Sequence, residues 1–206
     1  MEPTADARTR ILDAAERAFA HKGLAGARVA AIAEEAGVNK ATLYYYFESK
    51  EALHDAVVER VFGEMLPHAA RVAEAEHESP AEALMAFMEG YGRVLGEHPD
   101  FVRIVLRSLL DQPGEVPEFA VSRLSRVVPP LIAQVQRAQA SGHINPALSP
   151  HLMPPALVAP VVFLALAGPM LSSILGHDLA ALREQWLLHV RELLMNGLVP
   201  RPPEVP

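Results

Sequence analysis

Four side chains in one short stretch, Lys40, Ala41, Tyr44 and Tyr45, have the types and the spacing to bind a nucleic acid. They share one side of a helix over residues 40–47, because positions three and four apart lie on the same face. A lysine in the first turn donates to guanine O6 and N7, and an alanine methyl contacts a thymine methyl. Tyrosine hydroxyls donate to phosphate oxygens. Taken alone, an aromatic run at helical spacing also fits plain helix surface or core packing. Within the pattern that surrounds it, we expect this face to enter the major groove of DNA.

Two short helices joined by a glycine turn would position that face. The sequence predicts a helix over about 29–36 that ends at Gly37, and Asn39 is a typical N-cap for the helix that follows. This is the layout of a helix-turn-helix motif. The apolar residues on the inner side would form its small core: Ile32, Ala33, Ala36, Val38, Leu43 and Phe47.

A longer helix is predicted on each side of this pair. The first begins near Arg10, buries an apolar stripe that includes Ile11 and Phe19, and stops at Gly23. The fourth is capped by Ser49 and carries Lys50 in its first turn, which favours a phosphate clamp at the positive end of the helix dipole. Arg8 and Arg10 have two interpretations, since they would contact DNA or pair with Asp6 and Asp13.

Residues 8–58 resemble the DNA-binding domain of the TetR family. The resemblance is carried by RTRILDAAERAFAHKG and IAEEAGVNKATLYYYFESKEAL, about fifty residues in all. It implies a cytoplasmic homodimer that binds a palindromic operator, usually as a repressor, and releases it when a small molecule binds. It also implies that positions 40, 41, 44 and 45 face bases and sugars, with 42, 46 and 50 on phosphates. The full set expected to bind DNA is Arg28, Asn39, Lys40, Ala41, Thr42, Tyr44, Tyr45, Tyr46 and Lys50.

Three positions depart from that family's pattern. Threonine is common where this chain has Ala27-Arg28, and Arg28 would replace its phosphate contact but not its helix cap. A basic residue is frequent where Ala30 stands, and histidine is the commonest residue at the position of Tyr46. These departures bear on the operator sequence rather than on the fold.

The charge distribution limits how DNA would be bound. The formal net charge is -7, but residues 1–62 carry eight Lys/Arg against ten Asp/Glu, and residues 63–206 carry ten against fifteen. The front is therefore near neutral, and a few placed cations must make the phosphate contacts. There is no cysteine, which excludes disulfides, and no apolar segment follows the N-terminal charges as in a secretory signal. We expect a cytoplasmic protein.

An all-α fold is expected throughout. Residues 4–64 would form the DNA-binding domain, with its helix-turn-helix at about 28–47, and residues 65–200 a helical domain for effector binding and dimerisation. Further helices are predicted at about 81–97, 100–110, 117–141, 150–175 and 179–197, with Pro and Gly at the breaks. Pro129-Pro130 should kink or divide the helix over 117–141.

An uncharged stretch from Ala138 to His177 has two interpretations. Ala156–Gly176 is long enough to span a bilayer, but prolines interrupt it and no Lys/Arg cluster or aromatic belt flanks it. We favour a buried helix that pairs with the helix over 179–197 and, by the family resemblance, with a second subunit. The residues expected at the dimer interface are Leu166, Met170, Trp186, Leu187 and Leu194. A membrane-anchored regulator is the alternative.

The resemblance places an effector pocket among the helices from about 62 to 175. Met and Phe side chains there tolerate irregular ligands, and few charges line them, so the effector would be small and mostly apolar. Plain core packing is the competing interpretation for each of the residues considered: Met65, Met85, Met88, Tyr91, Phe101, Ile104, Leu131 and Phe163.

An enzyme is a further alternative, but the sequence contains no H-E-x-x-H, G-x-S-x-G, Walker or G-x-G-x-x-G pattern. The nine histidines are scattered, and His143 and His151 bracket a loop without a carboxylate partner, which makes a weak case for a metal. We expect no enzymatic activity, no catalytic residue, no metal and no cofactor. The expected partners are double-stranded DNA, a small effector and a second copy of the chain, with no membrane.

Overall fold

Helices account for all the regular structure in the part of the chain that the computed structural model describes, residues 5–74, 79–111 and 118–198. This confirms the predicted all-α fold. A turn of 3-10 helix, Pro150–Leu152, leads into the eighth α-helix. The α-helices are α1 (Ala5–Gly26), α2 (Val29–Glu35), α3 (Lys40–Tyr46), α4 (Lys50–Glu74), α5 (Pro80–Glu97), α6 (Phe101–Asp111), α7 (Glu118–Ala140), α8 (Met153–Leu175) and α9 (Leu179–Leu198).

The helices divide into two compact units. One comprises Met1–Gly63 with His98–Val121, and the other Glu64–Glu97 with Ser122–Pro206. The first unit therefore contains α6 as well as the three N-terminal helices and the start of α4. The functional boundary expected at residue 64 stays a prediction, but the packing assigns α6 to the same unit as the helix-turn-helix.

The first unit is built around the apolar stripe predicted for α1. Helix α1 packs against α2, α3 and α6. Gly23 has φ 68° and ψ 173°, so the helical path breaks there as predicted, and one more turn follows to Gly26. The buried side chains that fill this core include Ile11, Leu12, Phe19, Ile32, Leu43, Leu53, Val57, Val61 and Phe101.

The second unit packs α5 against α8 and α9, and α8 against α9. Gly168 of α8 is a close-approach position, since a Cβ there would lie 2.9 Å from Leu179 Cδ1. Trp186 Nε1 donates to the carbonyl of Pro160 at 3.1 Å, which ties α9 to α8. Buried apolar residues of this unit include Met65, Leu84, Met85, Met88, Leu95, Leu131, Val135, Ile144 and Leu157.

The stretch Pro150–Leu175 is long and apolar enough to span a bilayer by length and composition, and an 18-residue window within it has a mean hydropathy of 2.1. Only 22% of that window is buried within the subunit. A soluble helix with so much exposed apolar surface needs another surface against it.

Proline does not divide α7. Pro129 and Pro130 lie inside the continuous helix Glu118–Ala140, so of the two expected outcomes the division does not occur, and the kink stays a prediction. The two carbonyls that lose their amide partners belong to Ser125 and Arg126, which are exposed, so water can satisfy them. The expected break at Gln112–Gly114, part of the polar stretch near residue 76 and the tail after residue 198 lie outside the described residues.

Candidate nucleic-acid interface

The turn that precedes α3 has the predicted construction. Gly37 adopts φ +65°, a conformation that favours glycine, and Val38 N donates to the carbonyl of Ala33 at 2.9 Å. Asn39 Oδ1 accepts from Thr42 N at 2.7 Å, which confirms the N-cap. The start of α3 is therefore fixed by its own sequence.

Helix α3 has one buried side and one exposed side. Leu43 and Phe47 are buried, as predicted. Tyr44 is 49% exposed and Tyr45 73% exposed. Lys40 and Ala41 are exposed beside them, while Thr42, Tyr46 and the predicted core residue Val38 are half-buried. The rings of Tyr45 and Tyr46 meet edge to face at 5.4 Å.

We call the exposed residues Lys40, Ala41, Tyr44 and Tyr45 the reading face. Their exposure is what the sequence predicted, and their contact with DNA stays a prediction. The reading face offers an ammonium group, a methyl and two phenols, and the major groove of DNA is wide enough to admit an α-helix.

Two arginines of α1, Arg10 and Arg17, bond α1 to the helix-turn-helix. Arg10 Nε donates to the carbonyl of Ala36 at 3.0 Å, in the turn after α2. Arg17 Nε lies 2.6 Å from Glu35 Oε1 in the last turn of α2. Sequence reasoning missed the role of Arg17, because its partner is eighteen positions away.

The N-terminal arginines Arg8 and Arg10 are exposed, and each contacts other residues of its own chain. Arg10 also pairs with Asp6, which was one of the two interpretations offered. Arg8 lies over the ring of Phe47, with its guanidinium carbon 5.4 Å from the centroid. Asp13 pairs with neither of them. It accepts from Arg60 at 2.6 Å instead.

The expected phosphate contacts flank the reading face. Ser49 Oγ accepts from Ala52 N at 3.0 Å, so the predicted cap of α4 is present. Lys50 Nζ lies 3.3 Å from the carbonyl of Ala25 and 3.5 Å from that of Ala27. Arg28 is exposed and makes no side-chain cap on α2, as expected from the missing threonine. Lys50 thus has two carbonyl partners with which a phosphate would compete.

The residues expected to line an effector pocket are not all in one unit. Met65, Met85, Met88 and Leu131 are buried in the second unit, whereas Phe101 and Ile104 are buried in the first. Burial raises the pKa of Tyr91 to about 12, and its ring stacks on Phe87 at 6.2 Å. Phe163 is 48% exposed and lies 5.7 Å from the ring of Trp186. The pocket itself stays a prediction.

One small cavity of the second unit contains none of those residues. Its volume is about 30 Å³, which is room for water rather than for an effector. It is lined by Gly92, Leu95, Gly96, Val161, Leu164, Ala165, Arg183 and Leu187. Leu187, expected at a dimer interface, therefore packs at least partly inside its own subunit.

The remaining interface candidates lie on α8 and α9 as predicted. Leu166 and Met170 are exposed, and Trp186 and Leu194 are half-buried. Other large apolar side chains of these two helices are exposed in the same way: Ile174, Leu175, Leu188 and Leu193.

The two histidines considered for a metal, His143 and His151, are exposed, and His143 Nδ1 lies 2.9 Å from Ser141 Oγ.

Comparison with known proteins assigns the front of the chain to a family. Residues 11–57 match the family described as bacterial regulatory proteins, tetR family. An HTH-type transcriptional regulator of Mycobacterium tuberculosis is 40% identical over 90 residues, 44% of each chain. The chain thus spans less than half the length of this relative.

Two further likenesses extend over nearly the whole chain. The HTH-type transcriptional regulator RutR of Escherichia coli is 28% identical over 196 residues, 93% of this chain and 90% of that protein. A crystal structure of a TetR family transcription regulator from Marinobacter aquaeolei has a TM-score of 0.70 and 25% identity, and the match covers 95% and 97% of the two chains. The helices behind the helix-turn-helix therefore follow the same fold.

Proposed function

This chain belongs to the TetR family of helix-turn-helix transcriptional regulators, and on that premise we propose that it is a cytoplasmic homodimeric repressor. It binds a palindromic operator through α3, and a small, mostly apolar effector releases it. The family consists of transcription regulators rather than enzymes, so the absence of a catalytic motif needs no other explanation.

The reading face of α3 carries this proposal. On this seven-residue helix Tyr44 is about half exposed and Tyr45 mostly exposed, whereas Leu43 and the C-cap residue Phe47 are buried. Core packing, the competing interpretation of an aromatic run, accounts for Leu43 and Phe47 but not for Tyr44 and Tyr45. Lysine, alanine and tyrosine at these positions supply a guanine donor, a thymine contact and phosphate donors.

The exposed apolar surface of α8 and α9 supports pairing with a second copy of the chain. Their exposed apolar side chains form part of a surface that a monomer in water would not keep, and Met170 alone is 57% exposed. A two-fold dimer would bury this surface and place two copies of α3 one turn of DNA apart, about 34–36 Å. A membrane would cover the same surface. Solubility of the full chain without detergent, as a dimer, separates the two.

The effector is argued from the second unit. Its core includes four buried methionines, Met65, Met85, Met88 and Met153, and methionine side chains repack around ligands more readily than branched residues do. An effector that binds only the conformation unable to engage both half-sites shifts the population away from DNA. A change from 99:1 to 1:99 requires about 5.5 kcal/mol of differential binding.

The proposal is tested by DNA binding of the purified full chain. Duplexes from its own upstream region are titrated at two salt concentrations with the wild type and with Lys40→Ala/Tyr45→Ala. Lys22→Ala is the control, since it removes an exposed lysine outside α3. Selective binding that the double variant loses and the control keeps supports the proposal. Equal binding by all three proteins contradicts it.

A further inference from the structure

A row of ring contacts at the end of α3 leads to the reading face. The rings of Tyr45 and Tyr46 have centroids 5.4 Å apart and planes at 85°, which is an edge-to-face contact. The ring of Tyr46 lies in turn 6.3 Å from that of Phe47, at an angle of 44°. The guanidinium of Arg8, from α1, lies over the ring of Phe47. Tyr46 therefore stands between a buried ring and an exposed one.

The buried end of this row is held in place by the core. Phe47 is 4% exposed, and its amide donates to the carbonyl of Leu43 at 3.0 Å as the C-cap of α3. A guanidinium over an aromatic face adds a favourable contact at the same ring. Tyr46 is half-buried against this ring. A side chain packed in this way has fewer rotamers open to it than one surrounded by water.

The exposed end of the row depends on Tyr46. Tyr45 is 73% exposed, and within the described residues its side chain makes no hydrogen bond, ion pair or ring contact except the one with Tyr46. A tyrosine free in water samples several rotamers, and binding must then immobilise it at a cost. Aromatic rings favour the edge-to-face arrangement at centroid separations of about 4.5–7 Å. The contact with Tyr46 thus favours one orientation of Tyr45 before any DNA is bound.

We propose that Tyr46 is a positioning residue, which holds the ring of Tyr45 in the orientation that reads DNA and so raises sequence selectivity without contacting a base. This role rests on the proposed function, since it requires α3 to read DNA. It differs from the phosphate contact that the family resemblance implies for position 46. A phosphate contact uses the hydroxyl of Tyr46, whereas positioning uses its ring, so different substitutions impair the two roles.

The first test compares Tyr46→Phe, which keeps the ring, with Tyr46→Leu and Tyr46→Ala, which remove it. The leucine variant keeps apolar bulk, so a loosened fold in the alanine variant does not decide the result. The probes are the duplex that the wild type selects from a random library and duplexes mismatched at the base pairs where Tyr45→Ala loses preference. The ratio of the two affinities measures selectivity, and a uniform loss of a phosphate contact cancels in that ratio.

We expect Tyr46→Phe to keep the wild-type selectivity, and Tyr46→Leu and Tyr46→Ala to lose about two- to tenfold of it. In the double variant Tyr45→Ala/Tyr46→Ala, the loss should equal that of Tyr45→Ala alone, because Tyr46 acts only through Tyr45. Additive losses contradict the positioning role. So does wild-type selectivity in the leucine variant, or a phenylalanine variant as unselective as the leucine one.

The second test needs no DNA and separates this role from the proposed function. The chain has four tyrosines, so selective labelling of tyrosine rings gives a simple NMR spectrum in which Tyr45→Ala identifies the signals of Tyr45. We expect the ring current of residue 46 to displace these signals in the wild type and in Tyr46→Phe, and Tyr46→Leu to abolish the displacement. Signals of Tyr45 that are the same in all three proteins contradict the positioning role. Failure of the wild type to select any duplex would instead sink the proposed function and leave the NMR result standing.

Discussion

At the scale of single residues, we expect Lys40 of the reading face and Lys50 of α4 to make different kinds of contact with DNA. Lys40 projects from the exposed side of α3, whereas Lys50 sits at the start of α4 against the carbonyls of Ala25 and Ala27. A base contact carries sequence information, and a phosphate contact carries affinity that depends on salt. Substitutions at the two lysines should therefore be distinguishable by experiment.

Replacing Lys50 with glutamine should weaken binding by a similar factor for every duplex. The amide keeps a donor for the carbonyls but loses the charge, so the slope of log affinity against log salt should fall by about one.

Lys40→Ala should instead weaken binding of the selected duplex by about 1–3 kcal/mol, with relaxed preference at one base pair of each half-site. Titrations at three salt concentrations on matched and mismatched duplexes measure both. The same behaviour in the two variants would contradict the assignment.

We expect His54 to make the stability of the first unit sensitive to acid. Burial lowers the pKa of His54 below its usual 6.5, against a smaller opposing effect of Asp55, and its ring meets Phe19 edge to face at 5.1 Å. The unfolded chain therefore binds a proton that the folded chain resists. Stability is retained above about pH 6.5 and falls as the pH drops below it.

The matched variant is His54→Gln, which does not titrate. Denaturant unfolding between pH 7.5 and 5 should show a shallower loss of stability in this variant than in the wild type. His68 remains in both proteins and has its pKa lowered first by burial and then by Arg93 and Arg71, so the difference between the two curves isolates His54. Parallel curves would mean that His54 contributes no proton linkage.

At the scale of helices, several helix starts and ends follow from capping and helix-ending residues in the sequence. Gly23 and Gly37 stop helices at positive φ, and Asn39 and Ser49 cap the helices that follow, each through the predicted bond. These signals are local, so they are legible in one sequence. Of the two outcomes predicted for Pro129-Pro130, a kink or a division, the division does not occur, because the exposed residues Ser125 and Arg126 leave their carbonyls open to water.

Two glycines within helices should respond in opposite ways to alanine. A Cβ on Gly63 of α4 meets nothing within 4 Å, so Gly63→Ala should stabilise the chain by roughly 0.5–1 kcal/mol. A Cβ on Gly90 of α5 would lie 2.3 Å from His68 Nδ1 and 2.6 Å from its Cγ, so the imidazole ring of His68 must move to another position. Gly90→Ala should cost about 1–3 kcal/mol.

Thermal and denaturant unfolding of the two glycine variants measure this contrast. Because Gly90 and His68 belong to the second unit, Gly90→Ala should leave DNA selection unchanged at temperatures where the chain is folded. Equal stability of the two variants would mean that His68 moves aside at little cost.

At the scale of the whole molecule, the sequence predicted the fold but not the long-range polar contacts. Arg10 donates to the carbonyl of Ala36, 26 positions away, and Arg17 pairs with Glu35, 18 positions away. His98 Nδ1 lies 3.1 Å from Oε2 of Glu16, which is 82 positions away. Nothing in the period of a single helix determines which charges meet on different helices. For the same reason the sequence did not indicate that α6 packs with the helix-turn-helix, nor that the residues expected to line one pocket are divided between the two units.

The surface of α8 and α9 should decide the oligomeric state. Met170→Glu places a charge in the middle of the exposed apolar side of α8, so it should convert a dimer to a monomer. Operator affinity should fall at least a hundredfold, because one half-site is lost. Leu110→Glu, at a leucine of α6 that is also exposed, is the control. Sedimentation velocity measures the state, and a dimeric Met170→Glu would contradict the assigned interface.

The central claim is that the exposed side of α3 reads DNA sequence. Its most direct test is selection of duplexes from a random library by the full chain, sequenced for the wild type and for Lys40→Ala/Tyr45→Ala. The account predicts that the wild type enriches a two-fold symmetric site with half-site centres about 10 base pairs apart or a multiple of that spacing. It predicts that the double variant enriches either nothing or a site degenerate at the bases facing Lys40. Enrichment of the same site by both proteins would contradict it.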